Sequence, residues 1–428
     1  MKLIIYWMSG EFRMEKIKSS IKKLILLLIN CCVLILTFFI PKTDRIIIVG
    51  GWFGERFADN SKHFFLNVFN NKYKLNISKI IWITRDEQVF KELRENGFLV
   101  FKVWSLLGIW YHLRAKYHVI DQTLSDINPF FSVRSKRINL WHGFPLKKIG
   151  IYMKNNHIRK PQYGTLKWTI DKITFKGCWF DYYLLATSEF SAEIIGRAFE
   201  ISKERIIISG YPRNYEPFIE NPFIFITENE RIYRNRIQGF IDKGYKAVGY
   251  FPTFRDKKET LIFGTKDLKE LNKFLDFCEK SKLKVVGKFH FAGKKDSFNG
   301  ADEHDAFINL PSDADVYTFL SQIDILITDY SSIYYDFLLW KKPIIFFPYD
   351  LEYFKNEDRG FIYDYDDFTP GDKVVNCAQL QSLLVDGVDS YSKMYFTRYK
   401  DKANKVARKI FVDYENMGIE HLISQIRK

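Results

Sequence analysis

Short apolar runs rich in β-branched residues alternate along the chain with longer amphipathic stretches. Apolar runs of this length between turn residues are typical of strands buried in a parallel sheet, and apolar residues three or four positions apart indicate helices. The pattern predicts strands at residues 45–49, 79–84, 98–103, 117–120, 137–140, 182–186 and 205–209. It predicts helices at residues 60–70, 87–96 and 191–199.

The same alternation begins again after Gly210. Strands are predicted at residues 247–251, 284–288, 306–310, 323–328 and 343–347, and helices at residues 228–243, 267–280, 315–321 and 332–340. Two successive βαβ series with right-handed crossovers predict an α/β fold with two Rossmann-like lobes, at residues 44–209 and 210–390. A basic helix at residues 391–428 is predicted to pack back on the first lobe.

Residues 1–43 do not follow this alternation and are predicted to be a basic and apolar membrane-associating segment. Residues 24–40 are apolar apart from Asn30 and Thr37, and their length lies at the lower limit for crossing a bilayer. A cleaved signal peptide is disfavoured because bulky residues follow the apolar run. A single span, oriented by the preceding lysines, and a helix lying in the membrane interface are the two other interpretations. A start at Met14 is an alternative N-terminus.

Composition narrows the class of partner without selecting one. The 428 residues are 47% hydrophobic, which argues against disorder and against a protein with many membrane spans. Lys and Arg (65) exceed Asp and Glu (51), so the net charge is +14. Nucleic acid, an anionic membrane and a phosphate-rich substrate are the partners that such a charge predicts. The five cysteines form no CxxC pair, which argues against a structural zinc site.

Candidate chemistry lies where the predicted strands end. The strand at residues 137–140 leads into Trp141-His142-Gly143, with Pro145 and Lys147 shortly after. Gly143 allows a tight turn and the close approach of a ligand. Because the pKa of histidine lies near neutral pH, His142 at a strand end is a candidate general base. The neighbouring glycine, proline and lysines favour this role over a structural one.

Two arginines stand on proline-containing turns after later strands. Arg213 lies in Gly210-Tyr211-Pro212-Arg213-Asn214, and Arg255 lies in Pro252-Thr253-Phe254-Arg255-Asp256. A guanidinium group binds phosphate through its planar pair of donors, so both turns are candidate phosphate sites.

Three further strand ends carry polar groups. Lys288 and His290 share one face of the strand at residues 284–288 and are candidate phosphate donors. Either Ser331 or Ser332 is predicted to cap the next helix, which contains Asp336, and the N-terminus of that helix is a candidate anion site. Asp350 and Glu352, beyond the strand at residues 343–347, would either bind ribose hydroxyls or form a solvated turn.

Missing motifs exclude several reaction classes. The sequence contains no Walker A motif, no GxGxxG after a strand, no HExxH and no GxSxG. The acidic residues between 364 and 367 lie in a predicted tyrosine-rich loop, where solvation is expected rather than metal binding. Hydride transfer, serine hydrolysis and metal-dependent sugar transfer are therefore disfavoured, and no cofactor or metal is expected.

Taken together, these motifs resemble those of the CDP-glycerol glycerophosphotransferase family, whose bacterial members make teichoic acids and related capsule polymers. The resemblance begins in residues 51–62, which contain Asp59-Asn60-Ser61-Lys62, and covers residues 46–357. The sequence departs from the family pattern at two positions, where Tyr215 replaces an aspartate and Phe291 replaces a proline.

The resemblance implies a two-lobed fold similar to that of GT-B glycosyltransferases. It implies transfer of a polyol phosphate, most simply glycerol phosphate, from a CDP-activated donor to a hydroxyl of a teichoic acid-like or capsule polymer, with release of CMP. It makes His142 the base. Gly143 and Lys147 are expected to bind substrate, and the pyrophosphate and leaving CMP are assigned to His290, Arg213, Arg255, Lys288, Ser331 and Ser332. Asp329 and Asp336 would orient the nucleotide or the helix cap.

Because CDP-activated donors are made in the cytosol, the lobes are expected at the cytoplasmic face of the cell membrane, which favours the interfacial helix over the span. The expected partners are the CDP-polyol, a polyanionic or lipid-linked glycan acceptor and an anionic membrane surface, without nucleic acid. The alternatives are a GT-B glycosyltransferase that uses a nucleotide sugar and a non-catalytic membrane- or nucleic-acid-binding protein. Glycerol and ribitol phosphate, and primase and polymerase, stay open.

Overall fold

The structure is a computed structural model that describes residues 28, 31–153, 182–219, 225–253, 255, 259–288, 304–413 and 418–428. Its contacts divide the chain into two compact units. The first unit comprises Met1–Arg56, Asn71–Leu140 and His157–Leu184. The second comprises Phe57–Asn70, Trp141–Asn156 and Leu185–Lys428.

The first sheet has seven strands in the order β3-β2-β1-β4-β5-β6-β7. The strands are β1 (Thr43–Val49), β2 (Lys79–Thr84), β3 (Val100–Lys102), β4 (Ala115–Ile120), β5 (Lys136–Asn139), β6 (Tyr183–Ala186) and β7 (Ile206–Ile208). Neighbouring strands from β3 to β6 pair in parallel. The helices that accompany them are α1 (Asp59–Asn71), α2 (Glu87–Glu95), α3 (Leu106–Arg114) and α4 (Glu189–Phe199).

The second sheet has six strands, all parallel, in the order β10-β9-β8-β11-β12-β13. They are β8 (Lys246–Tyr250), β9 (Leu283–Gly287), β10 (Phe307–Asn309), β11 (Ile325–Thr328), β12 (Ile344–Phe346) and β13 (Asp372–Lys373). The helices are α5 (Glu228–Ile241), α6 (Leu268–Lys280), α7 (Ile333–Leu338), α8 (Leu351–Asn356), α9 (Tyr365–Phe368), α10 (Cys377–Leu384), α11 (Val388–Ile410) and α12 (Ile419–Arg427).

The apolar runs form the strands because both faces of each sheet are covered. All four residues of β11 are buried, as are all five of β9 and the last four of β1. Strands buried in this way have continuous apolar sequences rather than alternating ones. The predicted fold class of two parallel-sheet α/β lobes is therefore confirmed. The predicted domain boundaries at residues 43, 209 and 390 stay predictions.

Several helices differ from the sequence interpretation, which did not predict α3, α8, α9 or α10. The single helix predicted at residues 391–428 is wrong, because α11 ends at Ile410 and Phe411 adopts extended backbone. The next residue, Val412, leaves the helix to donate its N–H to the Thr187 carbonyl at 2.9 Å. Residues 316–322 form a 3-10 helix rather than an α-helix. Helix α3 was not predicted, since its exposed face carries Leu106, Leu107 and Trp110 and hides the amphipathic pattern.

The N-terminal apolar run is partly described. Residues 31–39 are helical, and most of their large apolar side chains are exposed, with Phe39 80% exposed. No helix in the described part of the chain is long and apolar enough to cross a bilayer. The interfacial helix therefore stays a prediction.

Candidate active site

The strand order of the second sheet reverses between β8 and β11, which are neighbours in the sheet although two strands separate them in the sequence. Ligands of open α/β sheets bind beyond the carboxyl ends of strands at such a switch point. Here a hydrogen bond connects the segment that follows β8 with the segment that follows β11. The Asp329 carboxylate accepts the backbone N–H of Thr253 at 2.7 Å and also accepts the N–H of Tyr330.

Arg255 connects the segments that follow these strands through its hydrogen bonds to two carboxylates. Its guanidinium donates to Asp329 at 2.7 Å and to both carboxylate oxygens of Asp350, at 2.8 and 3.0 Å. The Arg255 side chain is fully buried, and the ring centroid of Tyr330 lies 4.9 Å from the guanidinium carbon. Although burial by itself would lower the pKa of Arg255, the charge of Asp329 and the hydrogen bond to Asp350 outweigh it and raise the pKa. The arginine is therefore permanently charged, and it ties three strand-end segments together.

The turn that carries His142 has an unusual backbone. Trp141 adopts a left-handed φ of +58°, and Gly143 has a φ of +138°. A methyl group at Gly143 would lie 3.1 Å from Oγ of Ser332 and 3.2 Å from Nη2 of Arg213, so only glycine fits there without displacement. The ring centroids of Trp141 and His142 lie 4.0 Å apart, with the ring planes tilted by 34°. Backbone held in sparsely populated regions is concentrated at functional sites, where the surroundings determine it.

Side chains of other elements hold this turn in place. Asn60 donates from Nδ2 to the Trp141 carbonyl at 2.8 Å, and Arg213 donates from Nη1 to the His142 carbonyl at 3.1 Å. The two side chains are linked, because the backbone N–H of Arg213 donates to Oδ1 of Asn60 at 3.3 Å. The position of His142 is therefore set by Asn60 and Arg213.

Arg213 is itself fixed by two carboxylates. Its guanidinium pairs with Asp59 and with Asp336, the latter at 2.8 Å, and its side chain is fully buried. Burial alone would lower the pKa of Arg213, but Asp336 and Asp59 raise it well above its ordinary value. Burial also raises the pKa of the Asp59 carboxyl, against the opposing charge of Arg213. Removing one charge from such a cluster leaves another buried and uncompensated.

A second buried cluster of charged side chains contacts the backbone of Asp59. Lys62 pairs with Glu230 at 3.0 Å and lies 3.7 Å from Asp315, all with nearly fully buried side chains. Asp315 accepts the backbone N–H of Asp59 at 3.1 Å. Burial would raise the pKa of Asp315, but the charge of Lys62 and the neighbouring His63 lower it below its usual range. The motif Asp59-Asn60-Ser61-Lys62 thus links two charge clusters within one turn of helix.

The remaining predicted site residues occupy the same unit, with one outside the described residues. Ser332 occupies the N-cap position of α7 as predicted, although its side chain makes no capping hydrogen bond. Ser331 is half-buried beside it. Lys147 forms an isolated antiparallel bridge with Phe361, and the ammonium of Lys288 donates to the Ala314 carbonyl. His290 lies outside the described residues.

The contacts of Asp350 and of the two buried arginines differ from those that the sequence predicted. Asp350 is not part of a solvated turn, because Arg255 and the Tyr330 hydroxyl donate to its carboxylate. Binding of ribose by Asp350 stays a prediction. The guanidinium groups of Arg213 and Arg255 are likewise bonded to carboxylates. Their described contacts support a positioning role, and direct binding of phosphate by either arginine stays a prediction.

The sequence interpretation did not predict which carboxylates pair with these arginines, although it named Asp329, Asp336 and Asp350 as polar groups at strand ends. Asp59 and Asn60 were noted only as part of a resemblance, and the roles of Lys62, Glu230 and Asp315 were not anticipated. The signal was present in the density of polar residues at the start of α1, where residues 59–63 are all buried despite their polarity. Among the described residues, no group of three or more His, Cys, Asp or Glu is arranged to hold a metal ion.

Comparisons with known proteins agree on one family. The sequence model described as "CDP-Glycerol:Poly(glycerophosphate) glycerophosphotransferase" matches residues 35–417. The chain is 28% identical over 342 residues to a teichoic acid poly(glycerol phosphate) polymerase of Bacillus spizizenii, covering 78% of this chain and 81% of that one. It is 29% identical over 384 residues to a teichoic acid glycerol-phosphate transferase of Staphylococcus aureus, covering 87% and 90%.

A ribitol-phosphate polymerase of Staphylococcus aureus, TarL, is also similar, at 28% identity over 68% of this chain and 47% of its own length. Among solved structures, the wall teichoic acid polymerase TagF matches with a TM-score of 0.63 and 21% identity, covering 90% of this chain and 89% of that chain. The structural likeness supports the two-lobed α/β fold.

Proposed function

Because the chain belongs to the CDP-glycerol:poly(glycerophosphate) glycerophosphotransferase family, we propose that it transfers glycerol phosphate from CDP-glycerol to a hydroxyl of a teichoic acid polymer and releases CMP. The observation that carries this function is the family match over residues 35–417. The strand-end site built around His142, Arg213 and Arg255 is the place where the chemistry occurs.

The reaction needs one proton transfer and one exchange of bonds at phosphorus. The acceptor oxygen bonds to the β-phosphorus of CDP-glycerol, and the bond from that phosphorus to the bridging oxygen breaks, so that CMP leaves with the bridging oxygen. His142 takes the proton of the acceptor hydroxyl. Phosphoryl transfer depends chiefly on positioning and on stabilisation of charge. Asn60 and Arg213 position His142, and Lys288, Ser331 and Ser332 are proposed to contact the donor phosphates.

The enzyme is proposed to work without a metal ion or cofactor. We expect CMP release from CDP-glycerol to persist in EDTA, because cationic side chains and backbone N–H groups supply the charge stabilisation. The measurement is CMP release over a panel of CDP-glycerol, CDP-ribitol and nucleotide sugars, with and without EDTA and added Mg²⁺, followed by mass spectrometry of the polymer. Turnover of a nucleotide sugar alone would refute the function. Loss of activity in EDTA that Mg²⁺ restores would refute only its independence of metal.

We further propose that the enzyme acts at the cytoplasmic face of the cell membrane through an apolar surface of its first unit. Two elements carry exposed large apolar side chains there. The helix at residues 31–39 exposes Leu34, Ile35, Leu36, Phe38 and Phe39, and the segment around α3 exposes Trp104, Leu106, Leu107 and Trp110. Exposed apolar side chains with tryptophan and nearby cations are typical of helices that lie in the membrane interface.

Cationic side chains join these apolar elements to the rest of the unit. Arg134 donates to the Thr37 carbonyl, and its guanidinium carbon lies 4.1 Å from the ring centroid of Phe38. Lys42 donates to the Leu113 carbonyl, at the end of α3, at 3.0 Å. Burial and the nearby charges of Arg134 and Arg137 lower the pKa of Lys42 to about 8. Positive charges beside apolar groups favour an anionic lipid surface.

Substituting this surface should weaken membrane binding without affecting the chemistry. We expect Phe39→Ser and Trp104→Ser each to reduce binding to phosphatidylglycerol-containing vesicles by about tenfold, since burial of one large apolar side chain contributes about 1.5–3 kcal/mol. Co-sedimentation with vesicles measures the effect. The matched control is Ile232→Ser, an exposed apolar position of the second unit. Equal binding by all four proteins would show that the membrane contact lies elsewhere.

A further inference from the structure

The turn after β1, residues 50–56, is held in a backbone conformation that side chains rarely adopt. Trp52 and Phe53 have φ values of +47° and +60°, and Gly54 follows with +80°. Only glycine adopts this left-handed region without steric cost, so two successive aromatic residues there need strong support from their surroundings. We call residues 50–56 the β1 loop.

Polar side chains, most of them buried, supply that support. The Asp121 carboxylate accepts the backbone N–H of Trp52 at 3.1 Å, and the Asp126 carboxylate accepts that of Phe53 at 2.8 Å. Arg85 donates to the Phe53 carbonyl at 2.9 Å, and the Thr84 hydroxyl donates to the Gly54 carbonyl at 2.8 Å. The loop is therefore fixed before any ligand arrives, which reduces the entropic cost of binding.

The position of the β1 loop is one where α/β sheets bind ligands. In the first sheet β1 and β4 are neighbours, while β2 and β3 lie on the other side of β1, so the strand order reverses between β1 and β4. The loop begins directly after β1, and Asp121 follows directly after β4. Both therefore lie at the carboxyl ends of the two strands that flank the switch point.

The loop presents a specific chemistry to solvent. Phe53 is 44% exposed, and Trp52 and Arg56 are half-buried. The guanidinium carbon of Arg56 lies 4.9 Å from the ring centroid of Trp52, so the cation is held next to an aromatic surface. Aromatic rings pack against the carbon atoms of polyols and sugars, while a guanidinium binds phosphate oxygens. The combination suits a phosphorylated polyol.

We propose that the β1 loop binds the growing acceptor chain, with Arg56 on a phosphodiester and with Trp52 and Phe53 against the polyol carbons. The identity of this ligand as a glycerol phosphate chain rests on the proposed function. An acceptor fits better than the donor, because the groups assigned to the donor follow β8, β9 and β11 of the other sheet.

The kinetic test separates acceptor binding from donor binding. Phe53→Ala and Arg56→Gln should each raise the KM for a short synthetic glycerol phosphate oligomer about tenfold, with kcat and the KM for CDP-glycerol within about twofold of wild type. The matched control is Arg94→Gln, whose guanidinium lies 5.7 Å from the ring of Phe90 in the same unit. An unchanged oligomer KM in both variants, or a raised donor KM instead, overturns the proposal.

A binding measurement distinguishes this proposal from the proposed function. Titration with the oligomer should quench tryptophan fluorescence in wild type and much less in Trp52→Phe, and neutral glycerol should have no effect on either protein. If Arg56→Gln weakens oligomer binding while no CDP-glycerol is turned over, the acceptor site stands and the proposed function fails. If turnover is normal and oligomer binding is the same in Arg56→Gln and wild type, the acceptor site fails. Circular dichroism of each variant excludes misfolding, and Arg56→Gln changes only a half-buried side chain.

Discussion

Replacing His142 with alanine should remove most turnover while leaving CDP-glycerol binding intact. A general base in the transition state contributes about 100- to 10,000-fold, and His142 is the only histidine placed on the strained turn that Asn60 and Arg213 hold. The loss should therefore fall in kcat, because the donor phosphates are assigned to other groups. Steady-state CMP release gives kcat, and calorimetric titration with CDP-glycerol gives the donor affinity.

A second histidine provides the control for this prediction. His304 contacts Asp276 at 3.2 Å at the protein surface, and His304→Ala should retain wild-type kcat. A rate in His142→Ala close to that of wild type would show that another group, or water, takes the acceptor proton. Loss of both donor binding and turnover in His142→Ala would instead place His142 in the donor site.

The Arg213→Gln variant should strongly destabilise the second unit. It leaves Asp59 and Asp336 buried without their cation, and breaking a buried pair in this way costs about 3–5 kcal/mol of unfolding free energy. Catalysis should fail with it, because the carbonyl of His142 loses its donor. Urea denaturation followed by circular dichroism measures the first effect, and CMP release measures the second.

The matched control is an exposed pair on α4. Arg197 pairs with Glu193 at 3.3 Å, and its side chain is 68% exposed, so Arg197→Gln should change the unfolding free energy by less than about 1 kcal/mol. A similarly small change in Arg213→Gln would mean that Asp59 and Asp336 become neutral at little cost. The proposed positioning of His142 by a charged Arg213 would then be wrong.

Much of the fold was predictable because parallel strands that are buried on both faces have continuous apolar sequences. The run at residues 323–328 predicts β11, and the run at residues 284–288 predicts β9, each displaced by only one or two residues. Helices with an exposed apolar face do not follow this rule. Helix α3 has exposed leucines and a tryptophan, so its sequence lacks the polar face that would have revealed it.

The candidate site was predictable residue by residue but not as an arrangement. Each of His142, Arg213, Arg255 and Asp329 was recognisable from a short motif at a strand end. The pairings that these residues make were not, because the contacts join residues far apart in sequence. Arg213 meets Asp59 and Asp336 across 154 and 123 residues, and Arg255 meets Asp350 across 95.

By itself, the sequence determined the class of fold, the family and a set of candidate residues for the chemistry, because these depend on apolar periodicity and on short motifs. Only the tertiary structure decided what the arginines are bonded to. Buried guanidinium groups take the nearest carboxylates as partners, since an unpaired charge in the interior is costly. That pairing makes Arg213 the support of the His142 turn. The tertiary structure likewise decided that the β1 loop is held fixed at the switch point of the first sheet, through contacts with Asp121 and Asp126.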